Sequence, residues 1–240
     1  GTTPLHRAAE IGHLTICALM LFKMKEKCPK TKIGSTPLHT AAFFGHLEVY
    51  RLMSESYRDK NPVDWELGRT PLHWAARKGH VEVCKALLDV AWDKNPADNS
   101  DRTVLHYAAK EGHAEICKMI MCLIDDLNPY DDEEGAFTPF ELAAREGHLQ
   151  VCEVMMSLMK QKNPKSTFES KYEDKTSKKW WTPLHSAALN GHLSVCELLI
   201  EHISDKNPHV SGIFQGTALH SAAKKGHYDK IVSNIQEIKS

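Results

Sequence analysis

The sequence predicts an all-α repeat solenoid, a fold in which one short helical unit is stacked many times along the chain. Two observations lead to this prediction. A threonine followed nine residues later by a Gly-His pair occurs seven times in 240 residues. The intervals between successive threonines are 33, 34, 33, 35, 44 and 35 residues, and a nearly fixed period of this length is typical of stacked repeats. The threonines are Thr3, Thr36, Thr70, Thr103, Thr138, Thr182 and Thr217.

Each repeat is predicted to contain two helices. The threonine caps the first helix, and in most repeats a proline follows it at the first helical position. In the third repeat Leu72, Ala75 and Ala76 form a narrow apolar stripe, and Gly79 ends the helix in a left-handed conformation. A second amphipathic helix follows, and a polar Asp-Lys-Asn-Pro segment such as Asp59–Pro62 ends it.

The stretch TPLHWAARKGHVEVC at residues 70–84 brings His73, His80 and Cys84 close together in sequence, which could indicate a metal or catalytic site. A zinc site needs four ligands that converge on one point, whereas His73 and Cys84 fall on different helices of the repeat. A catalytic centre is also needed once per domain and not once per repeat. No phosphate-binding loop or nucleophile elbow is present. We therefore predict no metal, no cofactor and no enzymatic activity.

Composition is consistent with a folded, globular chain, because 42% of the residues are apolar and 25% are charged. A net charge of -1 gives no general attraction to nucleic acid or to anionic membranes. No run of eighteen apolar residues occurs, so we expect no membrane span. The expected location is the cytoplasm, with the nucleus as the alternative.

Five cysteines lie five residues after a repeat glycine and are expected to be buried and unpaired: Cys17, Cys84, Cys117, Cys152 and Cys196.

With its period of 33 residues, its TPLH segments, its Ala-Ala pairs and its Gly-His pairs, the chain resembles the ankyrin repeat family over essentially residues 1–240. The resemblance implies a single ankyrin repeat domain of seven repeats, with a long inserted finger at residues 161–181. It implies that the first helices line a concave face, the second helices a convex face, and the connecting segments form β-hairpin fingers. It also implies that each repeat histidine holds its own turn, through the backbone or the threonine hydroxyl.

The sequence departs from the family pattern in three places. Glu141 replaces the histidine of the fifth repeat, so no imidazole can hold that turn. The glycine two residues before the threonine, present as Gly34 and Gly68, is replaced in the later repeats, and fingers four to seven are expected to deviate for this reason. The replacing residues are Asp101, Ala136, Trp180 and Gln215. The insertion Lys165–Trp181 is either functional or disordered, and both alternatives stay open.

A solenoid presents one long face that suits an extended partner, so we predict a non-catalytic protein-interaction module that recruits a partner. Residues four, seven and eight after each threonine share the side of the first helix opposite its packing stripe. Aromatic residues concentrate at these positions in repeats two to four, and binding hot spots favour Trp, Tyr and Arg. The predicted partner contacts are Phe43, Phe44, Trp65, Trp74, Arg77 and Tyr107. The expected partner is a protein or peptide, bound to a monomer of this chain.

Two alternatives to this site are considered. A small ligand or an oligonucleotide could bind the same face, because aromatic rings stack on bases and cations meet phosphates. The aromatic and cationic residues that could do so are Trp74, Arg77, Lys78, Arg102 and Tyr107. Nearby acidic side chains weigh against nucleic acid. Alternatively, the aromatic side chains of repeats three and four only fill space between neighbouring repeats.

Asn95 and Asn207 are candidates for modification. Each lies eight residues after a leucine and two after an aspartate, a spacing that resembles the asparagine modified by asparaginyl hydroxylase in other ankyrin arrays. Pro96 and Pro208 follow them and depart from that pattern. An asparagine that only shapes a turn is the alternative.

Overall fold

The structure is a computed structural model that describes residues 1–132, 137–159, 182–202, 209–210 and 216–224. Within these ranges the chain forms thirteen helices and one antiparallel pair of short strands. The elements are α1 (Pro4–Ile11), α2 (Leu14–Lys23), α3 (Pro37–Phe44), α4 (Leu47–Ser56), α5 (Pro71–Lys78), α6 (Val81–Val90), α7 (Val104–Lys110), α8 (Ala114–Met121), α9 (Pro139–Glu146), α10 (Leu149–Leu158), α11 (Pro183–Asn190), α12 (Leu193–His202), β1 (His209–Val210), β2 (Gly216–Thr217) and α13 (Ala218–Lys224). The predicted all-α repeat solenoid is confirmed. The expected inserted finger at residues 161–181 lies outside the described residues.

Within each compact unit of the chain, first helices pack against first helices and second helices against second helices. The chain divides into two compact units, of which the first contains residues 1–108 and 122–124. In this unit α1 packs on α3 and α3 on α5, while α2 packs on α4 and α4 on α6. In the second unit, which contains residues 109–121 and continues from residue 125, α9 packs on α11 and α11 on α13, while α8 packs on α10 and α10 on α12.

Small apolar side chains make this stacking close. In α5 the predicted stripe of Leu72, Ala75 and Ala76 is fully buried, and the equivalent stripes of α3 and α9 are buried as well. The five cysteines predicted to be buried are buried, and all seven cysteines of the chain are free thiols, which confirms that prediction. Burial raises the pKa of Cys84 and of Cys117 to about 12, so these thiols fill space and are not poised for reaction.

A histidine closes the start of the first helix and ties it to the next repeat. In the second repeat the backbone amide of Thr36 donates to His39 Nδ1 at 3.1 Å, and the Thr36 hydroxyl lies 2.9 Å from the same nitrogen. Because Nδ1 accepts the amide, the ring proton is on Nε2, which donates to the carbonyl oxygen of Arg69 at 3.1 Å. The histidine therefore does more than hold its own turn, as the resemblance implied, since it also reaches 30 residues ahead.

In the second repeat, the glycine of the Gly-His pair has two functions. Gly45 has φ of 76°, the left-handed conformation that ends α3 as predicted. The ring of His80 lies against it, so a Cβ at Gly45 would stand 2.5 Å from His80 Nδ1. His80 Nε2 donates to the carbonyl oxygen of Phe43 at 3.0 Å. This second histidine thus bonds to the preceding repeat and not to its own turn.

Asparagines of the polar segments cap the first helix of the following repeat. Asn61 Oδ1 accepts the Leu72 amide at 3.1 Å, and Asn95 Oδ1 accepts the Leu105 amide at 2.9 Å. In the second unit Asn128 does the same for the first turn of α9. These amides belong to the unpaired donors of a helix N-terminus, so the asparagine oxygen supplies a missing acceptor.

Finger two, which precedes the second repeat, and finger four, which precedes the fourth, are each closed by a tight turn. Thr31 and Ser35 pair across finger two, and Asp98 and Arg102 pair across finger four, each through an amide-to-carbonyl bond of 2.9 Å. Asp101 has φ of 54° and takes the left-handed place of Gly34 and Gly68. The expected deviation of finger four is therefore wrong, because aspartate tolerates this conformation better than most side chains. Regular hairpin pairing is limited, within the described ranges, to β1 with β2 and one bridge between residues 97 and 103.

The fifth repeat is held differently, as its sequence predicted. Glu141 stands in the place of the histidine and is almost completely buried. The Thr138 hydroxyl accepts the Glu141 amide at 3.2 Å, a bond that needs no imidazole. The Ser186 hydroxyl donates to Glu141 Oε1 at 3.4 Å, so the carboxylate connects α9 to α11 in the second unit.

Candidate protein-binding surface

The side of the first helices opposite the apolar stripe carries a row of aromatic rings in the first unit. Phe44, Phe43 and Trp74 form this row, which we call the aromatic row. The ring centroids of Phe44 and Phe43 are 4.9 Å apart, and those of Phe43 and Trp74 are 5.4 Å apart, both edge to face. Phe44 is 42% exposed, and the other two are half-buried. Helical spacing places the two phenylalanines at the end of α3, and stacking of α3 on α5 brings Trp74 beside them.

Cations lie over the aromatic row. Lys78 Nζ is 4.7 Å from the centre of the Phe43 ring, and the Arg77 guanidinium is 5.6 Å from that of Trp74. The guanidinium of Arg69 is 5.1 Å from the centre of the same Trp74 ring. A cation over an aromatic face is attracted by the ring quadrupole, which holds these long side chains close to the surface. The row is therefore both apolar and positively charged.

Tyr107 is placed differently from the other predicted contacts. It is only 6% exposed, and its hydroxyl donates to Asp98 Oδ2 at 2.6 Å and accepts from Arg69 Nε at 2.9 Å. Burial, together with the hydrogen bond to Asp98, raises the pKa of Tyr107 to about 12. Its ring centre is 5.2 Å from the Arg69 guanidinium and 5.6 Å from the His73 ring. Tyr107 therefore positions Arg69 and is not itself available to a partner.

Arg69 and Asp98 are the residues of this surface that the predicted contact set lacks. Asp98 Oδ1 accepts the amides of Ser100 and Arg102 at 2.9 and 3.1 Å, and Oδ2 lies 3.7 Å from Arg69 Nε. One sequence signal could have indicated Asp98, since an aspartate occupies the same finger position as Asp64 in the preceding repeat, and both are buried. Arg69 directly precedes the helix cap, but nothing in the sequence shows that it turns toward Trp74.

Trp65 forms a second surface on the fingers. It is 63% exposed, and its ring lies over Gly34, where an added Cβ would stand 2.5 Å from the indole. Lys30 Nζ is 5.0 Å from the ring centre, and the Trp65 amide donates to the Ile33 carbonyl at 2.8 Å. With Leu67, these apolar side chains form the finger patch, defined as Ile33, Trp65 and Leu67. The described ring contacts do not join Trp65 to the aromatic row.

The repeat histidines near this surface have structural partners. Burial lowers the pKa of His39 and of His73 to about 4, so both rings are neutral at physiological pH. His73 Nδ1 accepts the Thr70 amide at 3.0 Å, and Nε2 bonds to the Arg102 carbonyl at 3.3 Å. In the described part of the chain, no group of three or more His, Cys, Asp or Glu side chains is arranged to hold a metal ion. A search of the same residues finds no helix with the length and apolarity of a membrane span.

Of the two asparagines considered for modification, the structure describes Asn95. The Asn95 side chain caps α7 through the Leu105 amide, and the Asn95 amide donates to Asp93 Oδ1 at 2.9 Å. This is the turn-forming geometry of the alternative explanation. Asn207 lies outside the described residues. Hydroxylation of either side chain stays a prediction.

Comparisons with known proteins agree with this architecture. The family model described as "Ankyrin repeats (3 copies)" matches residues 1–64, 57–131 and 140–233. Among solved structures, the human ASB11 ankyrin repeat domain superposes with a TM-score of 0.77 at 20% sequence identity, covering 97% of this chain and 98% of that one. At this identity the likeness concerns the fold. A search of curated proteins finds no match. Ankyrin repeat domains are generally non-catalytic protein-interaction modules. Since the family model covers most of the sequence, the chain belongs to the ankyrin repeat family.

Proposed function

We propose that this chain is a non-catalytic recruitment domain that binds a protein or peptide partner through the aromatic row. The observation that carries the proposal is the cluster of Phe44, Phe43 and Trp74, which leaves aromatic area exposed on a rigid layer of stacked helices. Solvent-exposed aromatic side chains on rigid elements are good binding anchors, because little conformational entropy is lost when a partner covers them. Such a surface is suited to recruiting or scaffolding a partner, since it supplies contacts and no reacting group.

The proposed contact surface also includes the finger patch. We propose that the partner also covers the fingers around Trp65, because its indole is 63% exposed. The proposed contacts are therefore Phe43, Phe44, Trp65, Trp74 and Arg77, with Arg69 in the place that the sequence had given to Tyr107. We further propose that residues 1–240 are one domain of seven repeats that acts as a monomer in the cytoplasm or nucleus. Free thiols at all seven cysteines are what a reducing compartment maintains.

Oligonucleotide binding is the weaker candidate for the same surface. Bases would have to stack on ring faces, but cations lie over Trp74 and Phe43, and the Tyr107 ring is buried. A peptide needs no free ring face, because its apolar side chains can pack on ring edges such as that of Phe44. These contacts favour a peptide.

Hydrogen exchange on a complex tests the proposal. A partner obtained by an unbiased two-hybrid or display screen is purified and mixed with the complete chain, and amide protection is compared with that of the free protein. We expect added protection in α3, in α5 and in the finger around Trp65, because those backbones lie under the covered side chains. Protection confined to the second helices α4 and α6 would place the binding surface on the opposite layer and refute the proposal.

A further inference from the structure

The guanidinium of Arg69 is held at the binding surface with most of its donors unused. An arginine side chain carries five N–H groups, and in the described structure the hydrogen bond of Arg69 is made by Nε alone, to Tyr107. The rings of Trp74 and Tyr107 flank it, with their centres 5.1 and 5.2 Å from the guanidinium carbon, and the side chain is 16% exposed. Aromatic neighbours hold a guanidinium by its faces and leave its edge, where the Nη donors are, for another ligand.

Asp98 neutralises Arg69 only in part, because its carboxylate oxygens also accept other hydrogen bonds. Its Oδ1 is occupied by two backbone amides and its Oδ2 by the Tyr107 hydroxyl, while Arg69 Nε is 3.7 Å away. Its side chain is almost completely buried, so no carboxylate of this network reaches the surface. The negative charge of the network is therefore buried, and the Nη donors of Arg69 form no hydrogen bond with any residue that the structure describes.

Lys78 adds a further cation, over the middle ring of the aromatic row. Its ammonium lies over the Phe43 ring, the side chain is exposed, and it forms no ion pair with any residue that the structure describes. Arg69 and Lys78 thus lie over two adjacent rings, Trp74 and Phe43, whose centres are 5.4 Å apart. An ammonium without a counter-ion on a binding surface selects for a negative group on the partner.

We propose that the occupant of the aromatic row is an extended peptide segment whose side chains on the face toward this protein are carboxylates interleaved with large apolar groups. This inference depends on the proposed function and deepens it. One carboxylate binds the Nη edge of Arg69, another binds Lys78, and the apolar side chains pack on Phe43 and Phe44. In an extended chain, alternate side chains on one face are about 7 Å apart, so acidic and apolar groups can interleave at the scale of these 5 Å ring spacings.

Peptide display against the complete 240-residue chain tests this inference. Random peptides of about twelve residues are selected, and enriched sequences are synthesised with each Asp and Glu either kept or replaced by Asn and Gln. Affinities are measured by fluorescence polarisation at about 50 and 300 mM salt. We expect enrichment of Asp and Glu beside Leu, Phe or Trp. We also expect at least about tenfold weaker binding of the neutralised peptides, and weaker binding of the acidic ones at the higher salt.

Charge reversal in the protein gives an independent check with a matched control. Lys78→Glu should weaken the acidic peptides by about tenfold or more and change the neutralised peptides little, because the ammonium acts through charge. Lys118→Glu makes the same charge change at an exposed position of α8 and should have no effect. Because Arg69 also contacts Tyr107, the affinity of an Arg69 variant is interpreted only after circular dichroism shows that the variant is folded.

The outcomes separate this inference from the proposed function. Selected peptides without excess acidic residues, or no selected peptide at all, would overturn the acidic occupant. Peptides that bind the Phe44→Ala variant more weakly than the parent, but bind the Lys78→Glu variant as tightly as the parent, would overturn the acidic occupant and leave the proposed function intact. A single-stranded oligonucleotide that binds more tightly than any peptide, and does so through Trp74, would overturn both. Peptides that bind equally well to Phe44→Ala and Trp74→Ala variants would refute the proposed function itself.

Discussion

The buried repeat histidines should make the stability of this protein depend steeply on pH. His39 and His73 have pKa values near 4 in the folded chain because burial disfavours the charged ring, against 6.5 in the unfolded chain. Above pH 6.5 both states are neutral and the stabilising hydrogen bonds are complete. As the pH falls from 6.5 toward 4, the unfolded chain takes up protons and the folded chain does not, so the free energy of unfolding falls.

The magnitude follows from the size of the pKa change. Each pKa unit corresponds to about 1.4 kcal/mol, so complete passage from pH 6.5 to pH 4 removes about 3 kcal/mol of stability for each of the two histidines. Within that window, the slope for one histidine is about 1.4 kcal/mol per pH unit. Below pH 4 these two residues cause no further loss, because the folded state then takes up the proton as well.

Urea unfolding followed by circular dichroism at a series of pH values between about 7.5 and 5 measures this slope. The variant His73→Asn keeps an acceptor near Thr70 but cannot titrate, so it should be less stable at neutral pH and show a slope lower by about 1.4 kcal/mol per pH unit. Leu72→Ala is the control, because it empties a neighbouring buried position and leaves His73 in place. A parent protein equally stable at both ends of the series, or a His73→Asn variant with the parent's slope, would refute the reasoning.

Three further predictions concern the stacking of repeats. Gly45→Ala should lower the free energy of unfolding by about 2 to 3 kcal/mol, since it combines left-handed backbone strain with displacement of the His80 ring from the Phe43 carbonyl; a loss below about 1 kcal/mol in urea unfolding would contradict this. Asn95→Ala should cost about 1 kcal/mol by leaving the Leu105 amide unpaired, and Asn95→Asp should restore most of it, because the acceptor oxygen remains. An aspartate variant no more stable than the alanine variant would exclude the cap. In native buffer a disulfide reagent should modify the exposed Cys122 first and the five buried cysteines only slowly, and fast modification of more than two thiols would contradict their burial.

Local sequence signals were sufficient for the helical framework. The Thr-Pro start and the glycine stop of each first helix are contained within nine residues, so α3, α5, α9 and α11 begin and end where the sequence predicted. The apolar stripe is also local, since its period is that of a single helix. The exposed position of Phe44 and Trp65 follows from the same helical and finger positions. These features need no knowledge of how repeats meet.

Contacts between neighbouring repeats could not be predicted from the sequence. The contact of Arg69 with Tyr107 spans 38 residues and joins a finger to α7, the first helix of the next repeat. Without that contact, Tyr107 reads as a surface aromatic, whereas the structure buries it. Asp101 shows a different limit, because a residue's ability to adopt a left-handed turn is a tolerance and not a preference. The interrepeat bonds of the Gly-His histidines likewise appear only when two repeats are stacked.

Calorimetric titration of a purified partner into matched variants tests the central claim most directly. Phe44→Ala and Trp74→Ala remove rings from the aromatic row, whereas Phe22→Ala and Trp92→Ala remove rings that are 84% and 95% exposed on other parts of the surface. With all four variants shown to be folded, the first two should bind about 30-fold more weakly, a loss of about 2 kcal/mol, and the controls should match the parent. Unchanged affinity in both variants of the aromatic row, or losses confined to Phe22→Ala and Trp92→Ala, would contradict the claim that this surface recruits the partner.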